Sequence, residues 1–261
     1  MGHRRVGVLP KTQRWRELID QLETFSGDEA QLDRIVASTL AGVRDRFLRV
    51  ECAPSVYEAF KYLVAFAVAS GTRAPAASMV ALGFEEPASD TPLGLARALA
   101  RIIEGAGDSP EYASIAKASA CDALSRWHRA HSDETPSLFA EDSEGFQAWR
   151  RLSSGAGFCE LSRLYFSGLT DRYLRYFLDR EASRSISTLF ERDSFDRQLA
   201  ARVDDVAQHA FETAKITQSF AAGWFNKNTR TGVPTDEQIR GFLSLAFGKM
   251  RAELGREASG Q

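Results

Sequence analysis

Hydrophobic residues recur at helical spacing along most of the chain. The first stripe places five apolar side chains on one side of a helix: Trp15, Leu18, Ile19, Leu22 and Phe25. Similar stripes occupy 32–47 and 239–254. The alternating pattern typical of strands is essentially absent, so each segment is predicted to be a helix that buries one face against a neighbour.

The stripes predict nine helices, at 12–25, 28–50, 55–69, 92–104, 110–130, 143–152, 158–183, 195–225 and 236–255. Five helix starts carry a capping signal, either a hydroxyl followed three residues later by Glu or Gln, or a hydroxyl followed directly by proline. These pairs are Ser26 with Glu29, Ser55 with Glu58, Thr235 with Gln238, Thr91 with Pro92, and Ser109 with Pro110. The predicted fold is an all-α, multi-helix bundle of about nine helices, in one or two lobes.

Two segments interrupt the helical pattern, 71–90 and 132–143. The second is polar and acidic, which a solvated connection tolerates and a core does not. We therefore predict an extended basic arm at 1–11, an N-terminal helical lobe at 12–131 and a C-terminal helical lobe at 144–257. One continuous domain is the alternative.

Composition is that of a folded, soluble protein, with 44% hydrophobic and 26% charged residues. The net charge of −2 argues against a wholly basic nucleic-acid coat, although local basic surfaces are compatible with it. Three scattered cysteines, Cys52, Cys121 and Cys159, do not form a disulfide framework. The longest apolar run, 62–69, is far shorter than the about 20 residues that cross a bilayer. We predict a cytoplasmic protein with no membrane association.

Two histidines offer the first candidate metal site. His128 and His131 share a helix face close to Asp133 and Glu134. A protein site for zinc or iron needs further ligands, and the only other histidines are His3 and His209. We therefore predict no metal and no cofactor, and we expect His128 and His131 to be exposed at a helix C-terminus.

Catalytic patterns are incomplete. His209 follows Asp205 by one helical turn, which suits a general base, but no nucleophile can be assigned to it. The glycine-rich stretch 153–157 lacks the strand and the lysine of a phosphate-binding loop, so we predict a turn between two helices. No catalytic residue is assigned, and an enzyme with a pocket around His209 or His128 is only the third hypothesis.

The N-terminal arm is strongly basic and also contains apolar residues. This combination suits an extended segment that binds a partner protein or a nucleic-acid backbone; a frayed terminus is the alternative. The predicted partner-binding residues are Arg4, Arg5, Val6, Val8, Lys11 and Arg14.

Four further cations are candidates for contacts with phosphates, Arg172 and Arg175 in a helix and Lys227 and Arg230 in a predicted loop at 226–232. Asp171 and Asp179 flank Arg175 at helical spacing and favour ion pairs within the helix instead.

The sequence alone favours a non-enzymatic helical subunit or adaptor that binds other proteins in a larger cytoplasmic assembly. The alternative is an accessory nucleic-acid-binding subunit that contacts phosphates through the arm and the 226–232 loop. The oligomeric state is not predicted.

Overall fold

The computed structural model describes residues 13–26, 28–43, 47–107, 109–132, 144–186, 188–199, 201 and 220–257. The described residues are mostly helical and contain no strand, which confirms the all-α prediction. The predicted arm at 1–11 lies outside the described residues, as do Asp205 and His209.

The described helices are α1 Gln13–Glu23, α2 Glu29–Val43, α3 Phe47–Glu51, α4 Pro54–Ala69, α5 Pro75–Ala81, α6 Pro92–Glu104, α7 Pro110–His131, a 3₁₀ helix Glu144–Ser153, α8 Gly155–Ser185, α9 at 189–199, α10 Ala221–Asn228 and α11 Asp236–Glu257. The prediction at 92–104 matches α6 at both ends. The helix predicted at 28–50 corresponds to α2 and α3, which lie on either side of 44–46, outside the described residues, and the helix predicted at 143–152 is a 3₁₀ helix.

Three of the predicted helix starts have the expected caps. The Thr91 hydroxyl accepts a hydrogen bond from the Gly94 amide at 3.2 Å. Ser109 caps α7 in the same way. Thr235 and Gln238 form a reciprocal capping box, in which the Thr235 amide donates to Gln238 Oε1 at 2.8 Å. These hydrogen bonds satisfy amides that have no partner within their helix.

The other two predicted caps are wrong. Helix α4 starts one residue before Ser55, at Pro54, and its N-cap is Ala53, which has no side-chain cap. Proline explains the shift, because its fixed φ suits the first helical position and it has no amide to satisfy. Helix α2 starts at Glu29, three residues after Ser26, so Ser26 does not directly precede the helix, and the Ser26 amide donates to Gln31 Oε1 at 3.0 Å.

Helix α4 forms the centre of the core, with 12 of its 16 residues buried. The Phe60 ring is fully buried and lies 5.3 Å from the ring of Phe166 in α8 and 5.2 Å from that of Phe242 in α11. Helices from both halves of the chain therefore share one set of buried aromatic contacts.

Helices α7 and α8 pack in antiparallel order. His131 Nε2 lies 3.7 Å from Glu160 Oε2, and Arg172 Nη2 lies 3.5 Å from Asp122 Oδ2. The end of α7 is consequently next to the beginning of α8. None of the described helices combines the length and the apolar character needed to cross a bilayer.

Candidate nucleic-acid interface

Three segments distant in sequence meet at the beginning of α8. Gly71, just after α4, lies so close to Ser153 that a Cβ atom on Gly71 would be 2.7 Å from Ser153 Cβ. Gly155, the first residue of α8, lies against α10, and a Cβ atom there would be 2.6 Å from Asn226 Nδ2. Glycine allows these close approaches because it has no side chain. The turn after α4, the end of the 3₁₀ helix and the end of α10 are therefore neighbours.

Each of these segments has exposed cations within a few residues of the contact. They are Arg73, Arg150, Arg151, Lys227 and Arg230, which together we call the basic surface. Segments 70–74, 147–159 and 220–235 contain no Asp or Glu. The three segments thus have exposed cations and no acid of their own, a charge distribution that favours contacts with anions.

Most of these cations are not neutralised by ion pairs. In the described part of the chain, no carboxylate pairs with Arg73, Arg150, Lys227 or Arg230. The next acid along α8 is Glu160, whose carboxylate faces His131. Arg73, Arg150, Lys227 and Arg230 are thus available to an external anion.

The loop predicted at 226–232 is shorter than expected. Helix α10 continues through Asn228, whose side chain donates to the Trp224 carbonyl oxygen at 2.7 Å. The Thr229 hydroxyl donates to the Phe225 carbonyl oxygen at 2.8 Å and closes the helix end. Lys227 therefore lies on the last turn of α10 and Arg230 in the tight turn that follows.

The other two predicted phosphate contacts lie elsewhere on α8. Arg172 donates to the Gly168 carbonyl oxygen at 3.1 Å and pairs with Asp122. Arg175 Nε lies 2.7 Å from Asp171 Oδ1. Both arginines are partly buried between helices, where their charge is balanced within the bundle. Lys227 and Arg230 lie at or just after the end of α10, whereas Arg172 and Arg175 lie in α8, 17 and 20 residues after Gly155.

The predicted arm residues are not placed. Arg4, Arg5, Val6, Val8 and Lys11 lie outside the described residues, and Arg14 belongs to α1 without a described side chain.

Sequence reasoning missed Arg73, Arg150 and Arg151. The absence of acids from 147–159 and 220–235 was detectable in the sequence. What the sequence does not encode locally is the contact between these segments, which depends on the packing of Gly71 and Gly155.

The glycine-rich stretch connects two helices, as predicted. The Ser154 hydroxyl accepts a hydrogen bond from the Gly157 amide at 3.0 Å and so caps α8. That amide is already satisfied within the protein.

The two histidines of α7 are partly buried, so the expectation that they are exposed is wrong. The His131 ring stacks on Trp127 with 3.9 Å between ring centroids, and its Nδ1 lies 2.9 Å from the Trp127 carbonyl oxygen. The His128 ring lies 5.2 Å from that of Trp149. Among the residues with described positions, no group of three or more His, Cys, Asp or Glu side chains could hold a metal ion.

Comparison with protein-family models, with curated proteins and with solved structures finds no match. Function must be inferred from the chemistry of the chain's own residues.

Proposed function

We propose that the protein binds nucleic acid through phosphate contacts at the basic surface. The main support is that three segments with exposed cations and no acids meet around Gly71 and Gly155. Of the two functions expected from the sequence, this charge distribution favours the nucleic-acid-binding subunit over the protein-assembly subunit.

The chemistry of the side chains fits phosphate. A guanidinium group can bind two phosphate oxygens at once, and a lysine ammonium binds phosphate as a point charge. Binding releases counterions from the nucleic acid, so the affinity should fall steeply with salt. For about four phosphate contacts, the logarithm of the association constant should fall with the logarithm of salt concentration with a slope of about −3.6.

The test is fluorescence anisotropy with the full chain and a fluorescein-labelled DNA duplex of about two helical turns. The double variant Lys227→Gln/Arg230→Gln removes two cations of the basic surface. Arg184→Gln/Arg197→Gln is the matched control, since both residues are exposed and Arg184 lies about 29 residues, or about 43 Å, along α8 from Gly155.

We expect the Lys227/Arg230 variant to bind about tenfold more weakly at low salt, with a salt slope shallower by about 1.8. The Arg184/Arg197 variant should bind like the original protein. Equal weakening in both variants would mean that only overall charge matters, and no binding of the original chain at low salt would exclude the proposal.

Assembly with another protein is a second candidate. Its support is a pair of exposed apolar side chains at the start of α9, Leu189 and Phe190, which are 77% and 78% exposed. Large apolar side chains that lie side by side and exposed on the surface are typical of protein–protein interfaces. Leu189→Ser/Phe190→Ser should then reduce recovery of a specific partner in affinity purification, whereas Lys227→Gln/Arg230→Gln should not. Equal recovery with both variants would exclude a role for this pair.

A further inference from the structure

The basic surface presents cations and hydroxyls, whereas its aromatic residues pack inward. The aromatic side chains of its three segments are all buried or partly buried: Trp149, Phe158, Phe220, Trp224 and Phe225. Trp149 Nε1 donates to the Asp90 carbonyl oxygen at 2.7 Å, which fixes the indole in the core. The Trp224 ring lies 4.7 Å from that of Phe242.

This arrangement matters for the type of nucleic acid. Proteins that bind single strands usually add aromatic stacking on the unpaired bases to their phosphate contacts, and each stacked base contributes about 1–3 kcal/mol. The aromatic residues of the basic surface contribute to core packing instead. The contacts left for a ligand are those to phosphate and sugar.

A nucleic-acid duplex offers phosphate contacts at higher density than a single strand. Double-stranded DNA has one negative charge for about every 1.7 Å of helix axis, about twice the density along one strand. Both strands also hold their phosphates in regular positions, whereas a flexible single strand must be ordered when it binds.

The three segments of the basic surface are held in place by packing, which suits a ligand whose phosphates are regularly spaced. Ser153 packs against Gly71, and Asn226 packs against Gly155, so the three segments are held in close contact at the two glycines. The hydrogen bonds of Asn228 and Thr229 fix the end of α10 in the same way. Cations on segments held in this way lose less freedom on binding than cations on a long loop.

We infer that the ligand of the basic surface is a nucleic-acid duplex, bound through its backbone and without base recognition. This inference rests on the proposed function, because it specifies the ligand of the same surface. It predicts that the duplex competes better than either of its separated strands and that base sequence has little effect.

Competition anisotropy tests the inference with the full chain, a labelled DNA duplex of about two turns and three unlabelled competitors: the same duplex, one of its strands, and a duplex of different sequence. The single strand should be free of self-complementary segments. At low salt we expect the single strand to compete at least about tenfold more weakly than the duplex, and the two duplexes to agree within about twofold.

The outcomes separate the two claims. If the single strand competes as well as the duplex and Lys227→Gln/Arg230→Gln still weakens binding, the duplex inference is wrong and the proposed function stands. A difference of more than about tenfold between the two duplexes would exclude backbone-only recognition. If the original chain binds neither duplex nor single strand at low salt, the proposed function itself fails.

Discussion

Gly155 of α8 lies directly against Asn226 of α10. A Cβ atom at position 155 would lie 2.6 Å from Asn226 Nδ2 and 2.9 Å from the Ala222 carbonyl oxygen. The second contact is with backbone, which cannot rotate away. This contact joins the start of the longest described helix to the segment that presents Lys227 and Arg230.

The Gly155→Ala variant should therefore be less stable. We expect its free energy of unfolding to fall by about 1–3 kcal/mol, because α10 must shift to accommodate the methyl group. Denaturant unfolding followed by circular dichroism measures the change. Gly241→Ala is the control, since Gly241 lies within α11 with open space around it, and alanine there should raise stability by about 0.5–1 kcal/mol. Similar effects in the two variants would contradict the assigned packing.

A buried serine provides the next prediction. The Ser162 side chain is 1% exposed, and its hydroxyl has no hydrogen-bond partner in the described structure. Phe158 and Phe166 lie one helical turn before and after it on the same side of α8. Burying an unpaired hydroxyl costs free energy, so Ser162→Ala should raise the free energy of unfolding by about 1 kcal/mol.

Ser119→Ala is the matched control for this variant. Ser119 is also buried in a helix, but its hydroxyl donates to the Ile115 carbonyl oxygen at 2.8 Å. Both substitutions gain the same helix propensity, and therefore the difference between them isolates the missing hydrogen bond. Urea unfolding at neutral pH gives that difference, and a Ser162→Ala variant no more stable than Ser119→Ala would refute the argument.

Helix positions were predictable because burial and capping leave local signals. The apolar residues of the stripe from Ile239 to Met250 are buried in α11, and Thr91 with Pro92 marked the start of α6 correctly. Errors arose where a signal was ambiguous. At 53–58, proline and serine both favour a helix start, and only the packed structure shows that Pro54 is the first residue of α4.

Only part of the basic surface could be predicted from the sequence, because the sequence shows local groups of cations but not which segments pack together. Lys227 and Arg230 were recognised because they form a local basic group. Arg73 is isolated in the sequence, Arg150 is adjacent only to Arg151, and both segments join α10 only through tertiary packing. Arg172 looked equally available in the sequence, yet the structure pairs it with Asp122, which is 50 residues away in the chain. Local charge patterns cannot reveal such partners.

A long-range ion pair links the third helix to the last described helix. Arg251 Nη1 donates to Glu51 Oε2 at 2.9 Å, and their side chains are 25% and 15% exposed. The pair connects α11 to α3. A double-mutant cycle with Arg251→Met and Glu51→Gln should give a coupling energy of about 1–2 kcal/mol, because partial burial reduces screening.

The exposed pair of Arg101 and Glu85 serves as the comparison, with side chains 68% and 50% exposed. Its coupling energy should be below about 0.5 kcal/mol. Raising the salt concentration should reduce the Arg101–Glu85 coupling more than the Arg251–Glu51 coupling. Equal coupling energies in the two cycles would mean that burial does not strengthen the pair at α3.

The final prediction concerns the pH dependence of stability. The pKa of Asp179 is raised from its usual value of 3.8 to about 6, first by partial burial and then by the nearby carboxylate of Asp196, while Arg175 acts in the opposite direction. The folded state therefore binds this proton more tightly than the unfolded state. The raised pKa of Asp179 has no effect on the free energy of unfolding below about pH 4. As the pH rises from about 4 to 6, the contribution of Asp179 lowers the free energy of unfolding, and this contribution stays constant above about pH 6.

Replacing Asp179 with Asn removes this penalty. A rise in pKa from 3.8 to about 6 corresponds to about 3 kcal/mol. Because Asp179 is packed among neighbouring helices on one side but remains accessible to water on the other, screening should reduce the gain to about 1 kcal/mol at pH 7. Urea unfolding of the original protein and of Asp179→Asn from pH 4 to 8 should show a difference that grows between about pH 4 and 6 and is constant above. Asp193→Asn, which removes one carboxylate from α9, is the control for the change in net charge alone. A difference for Asp179→Asn that does not change with pH would show that Asp179 titrates normally in the folded protein, and that Asp196 and the surrounding helices do not penalise its charge.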